Sequence, residues 1–311
     1  MKKSQRTSHL SASRVIKIDD FEGSLPKRPL YIYLPRGYDE HLDRTYPVLY
    51  MHDGQNCFEA FVADSYAGSW KADQTADCLI SEGRMRECII VGVGNGSEER
   101  IAEYLPPYAT YQLPPRKKKG STKTADESET QMEQSPVIVG RARETAVYYR
   151  DEVAAYMRRH YRVDHDRNQT ATCGSSMGGL FSTYLAWEFP EFARHHAVLS
   201  PAYWLTKTAT GSYEAIERLR TGAPRDVRLW LDSGTQDAPG RGDDGWPETA
   251  AARDALLENG YQLGPDFQYF LDEGACHREA DWAARLHHVF AFLFPIDAPS
   301  KIRTTSAIRI K

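Results

Sequence analysis

The chain is predicted to be an α/β protein built on a mostly parallel, eight-stranded sheet with helices on both faces. Three observations predict it. Eight short β-rich runs stand out along the 311 residues, those from the third onward are nearly continuous apolar stretches, and helix-period segments lie between most of them. Strands of a parallel sheet are covered on both faces, so they lose the polar alternation of a half-exposed strand. With 41% hydrophobic residues the chain can fill one large core, and a single domain over 1–311 is the simplest organisation.

In chain order the strands fall at residues 15–18, 30–34, 47–51, 88–93, 169–173, 196–199, 227–231 and 267–271. Most are rich in β-branched, leucine and aromatic side chains and bounded by polar or glycine-containing turns. Helices are predicted over 146–161, 178–188 and 247–259, the last two beginning near Gly or Pro and stopping at Pro190 and Gly260. A final helix carries Trp282, Leu286 and Phe290. The stretch at about 105–140 breaks this rhythm with Pro106-Pro107, Pro114-Pro115 and a basic run from Arg116 to Lys119 before an acidic polar segment. It is expected to be a polar, partly disordered insertion or lid, whose first part, with Tyr104, Tyr108 and Tyr111, suits binding better than the charged remainder.

Bulk properties exclude several partners. A formal net charge of −4 offers no basic field for nucleic acid or an anionic membrane, so a small molecule is the expected partner. Assembly into identical subunits is left open. The five cysteines, Cys57, Cys78, Cys88, Cys173 and Cys276, form no CxxC pair and point to reduced thiols. The polar N-terminus has no apolar signal core and no run is long enough to span a bilayer, so the expected location is cytoplasmic. No HExxH set or Walker motif occurs, and the Gly92-Val93-Gly94 fragment lacks the third glycine of a dinucleotide site; neither metal nor cofactor is expected.

The chemistry centres on Gly174-Ser175-Ser176-Met177-Gly178, a G-x-S-x-G with a strand directly before it and a helix directly after. That context is a nucleophile elbow of the α/β-hydrolase fold: small residues let strand and helix approach, and the Ser176 hydroxyl is lifted out at a helix N-terminus. The Met177 amide there would face the oxyanion of a tetrahedral intermediate. A serine needs a base to take its proton. His277 follows the last strand in a loop, where this fold places its base. His195-His196 and His287-His288 lie in or beside predicted strand or helix, and His52 is better suited to shaping the loop after the third strand.

For the acid, Asp232 and Asp237 both lie near the end of the seventh strand. Asp237 is preferred because a turn at Gly234 leaves it in the loop facing the site, with Asp232, Asp243 and Asp244 as alternatives. The second oxyanion donor is expected from the backbone of Gln55 or Asn56 in His52-Asp53-Gly54-Gln55-Asn56.

The chain resembles the putative esterase family that includes esterase D, enterochelin esterases and feruloyl esterases. The pieces that carry the resemblance are Tyr46 through Asn56, Arg100-Ile101-Ala102-Glu103-Tyr104, Gly174 through Gly179, Ser200-Pro201-Ala202-Tyr203-Trp204, Ser233 through Asp237, and His277. They run through most of residues 30–295. The resemblance implies Ser176 as nucleophile, Asp237 as acid, His277 as base and the Gln55 region as oxyanion support. It also implies that Arg100 and Glu103 line or shape the acyl or alcohol pocket. Read from the residues themselves, the aromatics Tyr104, Tyr108, Tyr203, Trp204 and Trp246 suggest either a wall for a planar or sugar-like group or core packing. The insertion after Tyr104 departs from the family and bears on substrate identity.

The function expected is hydrolysis of carboxylic esters through an acyl-enzyme, of siderophore type or as a general carboxylesterase. A thioesterase of the formylglutathione hydrolase type would use the same triad. A non-catalytic binding module on the same scaffold would be expected to have lost a triad member.

Overall fold

In the computed structural model, which describes residues 12–113, 136–236 and 243–296, eight strands form one sheet in the order β1-β2-β4-β3-β7-β8-β9-β10. These are β1 (Arg14–Phe21), β2 (Arg28–Leu34), β3 (Val48–Met51), β4 (Ile89–Val93), β7 (Thr170–Ser175), β8 (His195–Leu199), β9 (Arg228–Gln236) and β10 (Phe267–Cys276). Each coincides with a predicted run. β1 pairs with β2, and β2 with β4, antiparallel; every other pairing is parallel. Two further strands, β5 (Thr110–Gln112) and β6 (Val137–Val139), pair antiparallel apart from the main sheet. They flank residues 114–135, so the disorder expected of the insertion falls outside the described residues.

The helices are α1 (Ala72–Ser81), α2 (Arg100–Tyr104), α3 (Ala142–Val147), α4 (Ala154–His160), α5 (Met177–Glu188), α6 (Glu214–Thr221), α7 (Trp246–Glu258) and α8 (Glu279–Leu293). A π-helical turn over Tyr148–Val153 joins α3 to α4, so the helix expected over 146–161 is longer at its start.

The core lies on both faces of the sheet. In β2 the period of two sends Leu30, Ile32 and Leu34 to one side and Tyr31 and Tyr33 to the other. One face packs Leu79 of α1 and Leu286, Val289 and Phe290 of α8 against Leu49, Met51 and Cys173. The opposite face packs Leu180 and Phe181 of α5, Ile216 of α6 and Leu256 of α7 against Val48, Tyr50 and Leu231. α5 is buried from Met177 to Trp187, because the strand before it enters the middle of the sheet. The carboxyl ends of the parallel strands therefore open onto one edge, where α/β sheets bind their ligands. All five cysteines are unpaired.

Candidate active site

The turn between β7 and α5 is built around Ser176, whose backbone sits at φ 56°, ψ −121°. A non-glycine residue there costs about 1–3 kcal/mol and persists only when its surroundings fix it. They do so here: the Ser176 N–H donates to the Leu199 carbonyl at 3.0 Å, and the Ser176 carbonyl accepts from Ala202 N–H at 2.9 Å. The flanking glycines are required for space. A Cβ on Gly174 would lie 2.7 Å from the Gly178 carbonyl carbon and 2.5 Å from His52 Cδ2, and one on Gly179 would lie 2.8 Å from the Leu199 oxygen. Met177 opens α5, so its amide is among the first-turn donors without an intrahelical acceptor.

His277 directly follows β10, and its ring meets the edge of Trp282 at 4.9 Å. Its Nδ1 is hydrogen-bonded to Oδ1 of Asp244, a fully buried carboxylate. Asp237, the preferred acid, lies outside the described residues. The sequence reading of a turn at Gly234 is corrected: β9 continues to Gln236, so Gly234 is inside the strand, and its N–H donates to Asp244 Oδ2 at 2.6 Å. The chain returns to the strand end at Asp244 just before Gly245, in the left-handed conformation at φ 74°, starts α7. Asp232 points elsewhere, bonded to Arg285 Nη2 at 2.9 Å and to Trp230 Nε1 at 2.7 Å.

Ser176 and His277 line one cavity of about 210 Å³ with Asp53, Asn56, Tyr66, Trp70, Arg100, Glu279 and Trp282. Arg100 clamps Asp53 through Nε–Oδ1 at 2.6 Å and Nη2–Oδ2 at 2.8 Å, while Asn95 Nδ2 adds a third bond to Oδ1 at 2.6 Å. Burial pushes the Asp53 carboxyl up, but Arg100 and Asn95 outweigh it and leave it below its ordinary value. Burial pushes the Glu279 carboxyl up, so this acid, two residues beyond His277, is the more easily protonated one in the cavity.

The loop after β3 is a 3-10 turn over Gly54–Asn56, entered through Asp53 at φ 54°. A Cβ on Gly54 would lie 2.4 Å from the Gly92 backbone, so the loop lies flat against β4. The Asp53 amide is spent on Tyr104 Oη, the Asn56 amide on the Asp53 carbonyl and the Cys57 amide on the Gly54 carbonyl. That leaves Gly54 and Gln55 at the head of the turn as its available donors. The Gln55 side chain lines a neighbouring cavity, where its Oε1 accepts from Asn95 N–H at 3.4 Å.

Of the pocket residues expected from the sequence, Arg100 reaches the cavity and the others do not line it. Glu103 is fully buried in a two-bond ion pair with Arg28, at 2.7 and 2.8 Å. Tyr104 is buried and stacks on Phe181 at 5.3 Å, and buried Tyr203 is bonded to Thr183. Trp204 is half exposed, edge-on to Tyr111 at 5.9 Å. Glu103 and Tyr104 therefore shape the site from behind. His52 is buried between Tyr149 Oη and Ser182 Oγ, and burial depresses it to about 3, so it is a neutral support under the elbow. Trp70, Tyr66 and Glu279 went unnoticed as cavity residues because their signal is tertiary, and Asn56 was singled out for its backbone amide and not as a lining side chain. Only Glu279, close behind His277, had a local cue.

Among the described residues no group of three or more His, Cys, Asp or Glu is placed to hold a metal ion, and no helix is long and apolar enough to cross a membrane.

A sequence profile of the family described as Putative esterase matches residues 26–293. No curated protein sequence matches the chain. Among solved structures, a ferulic acid esterase superposes with a TM-score of 0.62 at 18% identity, covering 92% of this chain and 99% of that one. The CE1 ferulic acid esterase of the anaerobic fungus Anaeromyces mucronatus gives 0.60 at 20% identity, covering 93% and 92%. The enterobactin esterase of Shigella flexneri gives 0.61 at 15% identity, covering 90% of this chain and 58% of that one. At these identities the superpositions establish the α/β-hydrolase architecture.

Proposed function

The chain belongs to the Putative esterase family and is a carboxylic ester hydrolase, and from that premise we propose that it works through Ser176, His277 and Asp244 by way of an acyl-enzyme. The observation that carries this reading is the strained Ser176 elbow facing the same cavity as a histidine whose Nδ1 is held by a buried carboxylate. With Nδ1–H donated to Asp244, the free Nε2 accepts the Ser176 proton as Oγ bonds to the ester carbonyl carbon. The Met177 and Gln55 amides receive the oxyanion. His277 then returns the proton to the departing alkoxide, and water repeats the sequence to release the acid.

The substrate proposed is an ester with a compact acyl group, an aryl ring or a short chain. A cavity of about 210 Å³ walled by Trp70 and Trp282 supports this, since pockets for larger ligands run from about 300 Å³ upward. Arg100, with Asp53 taking two of its nitrogens, supplies a polar edge. The names of two superposed structures, ferulic acid esterase and enterobactin esterase, are compatible with an aryl-bearing ester.

The test is labelling with a fluorophosphonate probe alongside hydrolysis of a short p-nitrophenyl ester, on the wild type, Ser176→Ala and His277→Ala. Wild-type labelling at Ser176, lost together with turnover in both variants, is expected. Turnover that survives Ser176→Ala would overturn the assignment.

A further inference from the structure

Beneath the candidate triad lies a fully buried polar cluster that the reaction above does not use. Ser200 directly follows β8 at φ 40°, its N–H donating to the Asp232 carbonyl at 2.8 Å. Its Oγ accepts from Arg285 Nη2 at 2.8 Å and from Trp282 Nε1 at 3.0 Å. Both partners are donors only, so both lone pairs of the hydroxyl are used and its single proton has one destination, Oδ2 of Asp244. That oxygen also takes the Gly234 N–H, which leaves Oδ1 to His277. Arg285 is itself held by Asp232 through Nε at 3.1 Å and Nη2 at 2.9 Å, on side chains 2% and 0% exposed.

We propose that Ser200, oriented by Arg285 and Trp282, is a positioning residue for Asp244: it fixes which carboxylate oxygen faces His277 and carries part of that carboxylate's charge. The inference rests on the triad proposed above. Arg285 lies 4.0 Å from Asp244 Oδ2, beyond hydrogen-bond reach, and the Ser200 hydroxyl bridges the two. A backbone reason for a serine at φ 40° does not account for the cluster, because glycine meets that requirement without the hydroxyl.

Among the described residues, losing the hydroxyl leaves Asp244 Oδ2 with the Gly234 amide as its hydrogen-bond donor and Arg285 at 4.0 Å. The carboxylate can then swivel, and more of its charge falls on the His277 N–H, so the protonated imidazole persists to higher pH. The other charged groups around this pair are Asp232 on β9, Asp272 on β10, Glu279 and Arg285 on α8, and the Asp53–Arg100 pair across the cavity. The substitution leaves all of them in place.

Ser200→Ala and Ser200→Gly test the proposal, with competent sites counted by fluorophosphonate titration. Per titrated site, kcat is expected to fall about 10–100-fold in both, the worth of one hydrogen bond to a charged group, with KM unchanged and the acid limb of kcat/KM moved to higher pH. The low-field proton resonance of the His277–Asp244 bond, read on Ser176→Ala with and without Ser200→Ala, should shift. This readout needs no turnover. A wild-type kcat per site with an unmoved acid limb, a Ser200→Gly that behaves as wild type, or an unshifted resonance would overturn the inference. If the wild type itself neither titrates nor turns over ester, the failure belongs to the triad reading.

Discussion

Replacing Asp244 with asparagine exchanges an acceptor for a group with one acceptor and one donor end, and the surroundings decide which end faces His277. Gly234 N–H and Ser200 Oγ–H both donate toward Oδ2, so the amide oxygen must stay there. The amide NH₂ then meets His277 Nδ1, forces that nitrogen to accept, and moves the ring proton to Nε2. In that tautomer the imidazole cannot take the proton of Ser176. Asp244→Asn should therefore lower kcat by about 10³–10⁴-fold with little change in stability, the scale of a wrong-tautomer substitution in a serine triad. Asp237→Asn should stay close to wild type. Steady-state kinetics on the two purified variants decide between them, and a large loss in Asp237→Asn with Asp244→Asn active would restore the acid preferred from sequence.

At the scale of elements, the site depends on how closely β7, α5 and the loop after β3 approach one another. A methyl group on Gly174 would sit 2.5 Å from His52 Cδ2 and 2.7 Å from the Gly178 carbonyl carbon, and neither can yield: His52 is pinned at both nitrogens and Gly178 is helix backbone. Gly174→Ala should destabilise the protein by about 1–3 kcal/mol, as overpacking does, and reduce kcat as the elbow shifts. Urea unfolding with parallel kinetics measures both, and a variant with wild-type midpoint and turnover would show the approach to be looser than drawn. These elements were also the legible ones. Eight β-rich runs and G-x-S-x-G between strand and helix located the sheet, the elbow and the loop carrying His277, because each signal is local in the chain. The acid was not legible: four aspartates lie between 232 and 244, and the choice depends on where β9 ends and how the loop returns, which no spacing encodes. That Glu103 and Tyr104 would shape the site from behind and not line the cavity was hidden for a related reason. Adjacent to Arg100 in sequence, they turn inward on a one-turn-and-a-half helix, toward Arg28 and Asp53 N–H, while Arg100 turns to the cavity.

For the whole molecule, the buried histidines tie stability to pH. His196 lies in the core with Nε2 against the Ala193 carbonyl, which requires a proton on Nε2, and with Thr172 Oγ1 at 2.8 Å from Nδ1, where the hydroxyl donates to a neutral ring. Burial depresses His196 and His52 to about 3, and it depresses His195, part-buried at the start of β8, to about 4. In the unfolded chain each would titrate near an ordinary value of about 6.5. The unfolded state thus binds more protons than the native state between roughly pH 6.5 and pH 4, so the stability these residues confer is fully present above pH 6.5 and is lost as pH falls through that window. Each contributes up to about 1.4 kcal/mol per pH unit, and the three together up to about 4, against a total stability that for globular domains is about 5–15 kcal/mol. Urea unfolding at pH 7, 6 and 5 should show the free energy dropping steeply across a range in which most exposed carboxylates remain ionised, with net proton uptake on unfolding near pH 5.5. His196→Asn should flatten the slope relative to wild type while lowering stability at pH 7. An unfolding free energy equal at pH 7 and pH 5 would mean that these rings are protonated in the native protein, and the neutral hydrogen-bond pattern that places His52 beneath the Ser176 elbow would have to be redrawn.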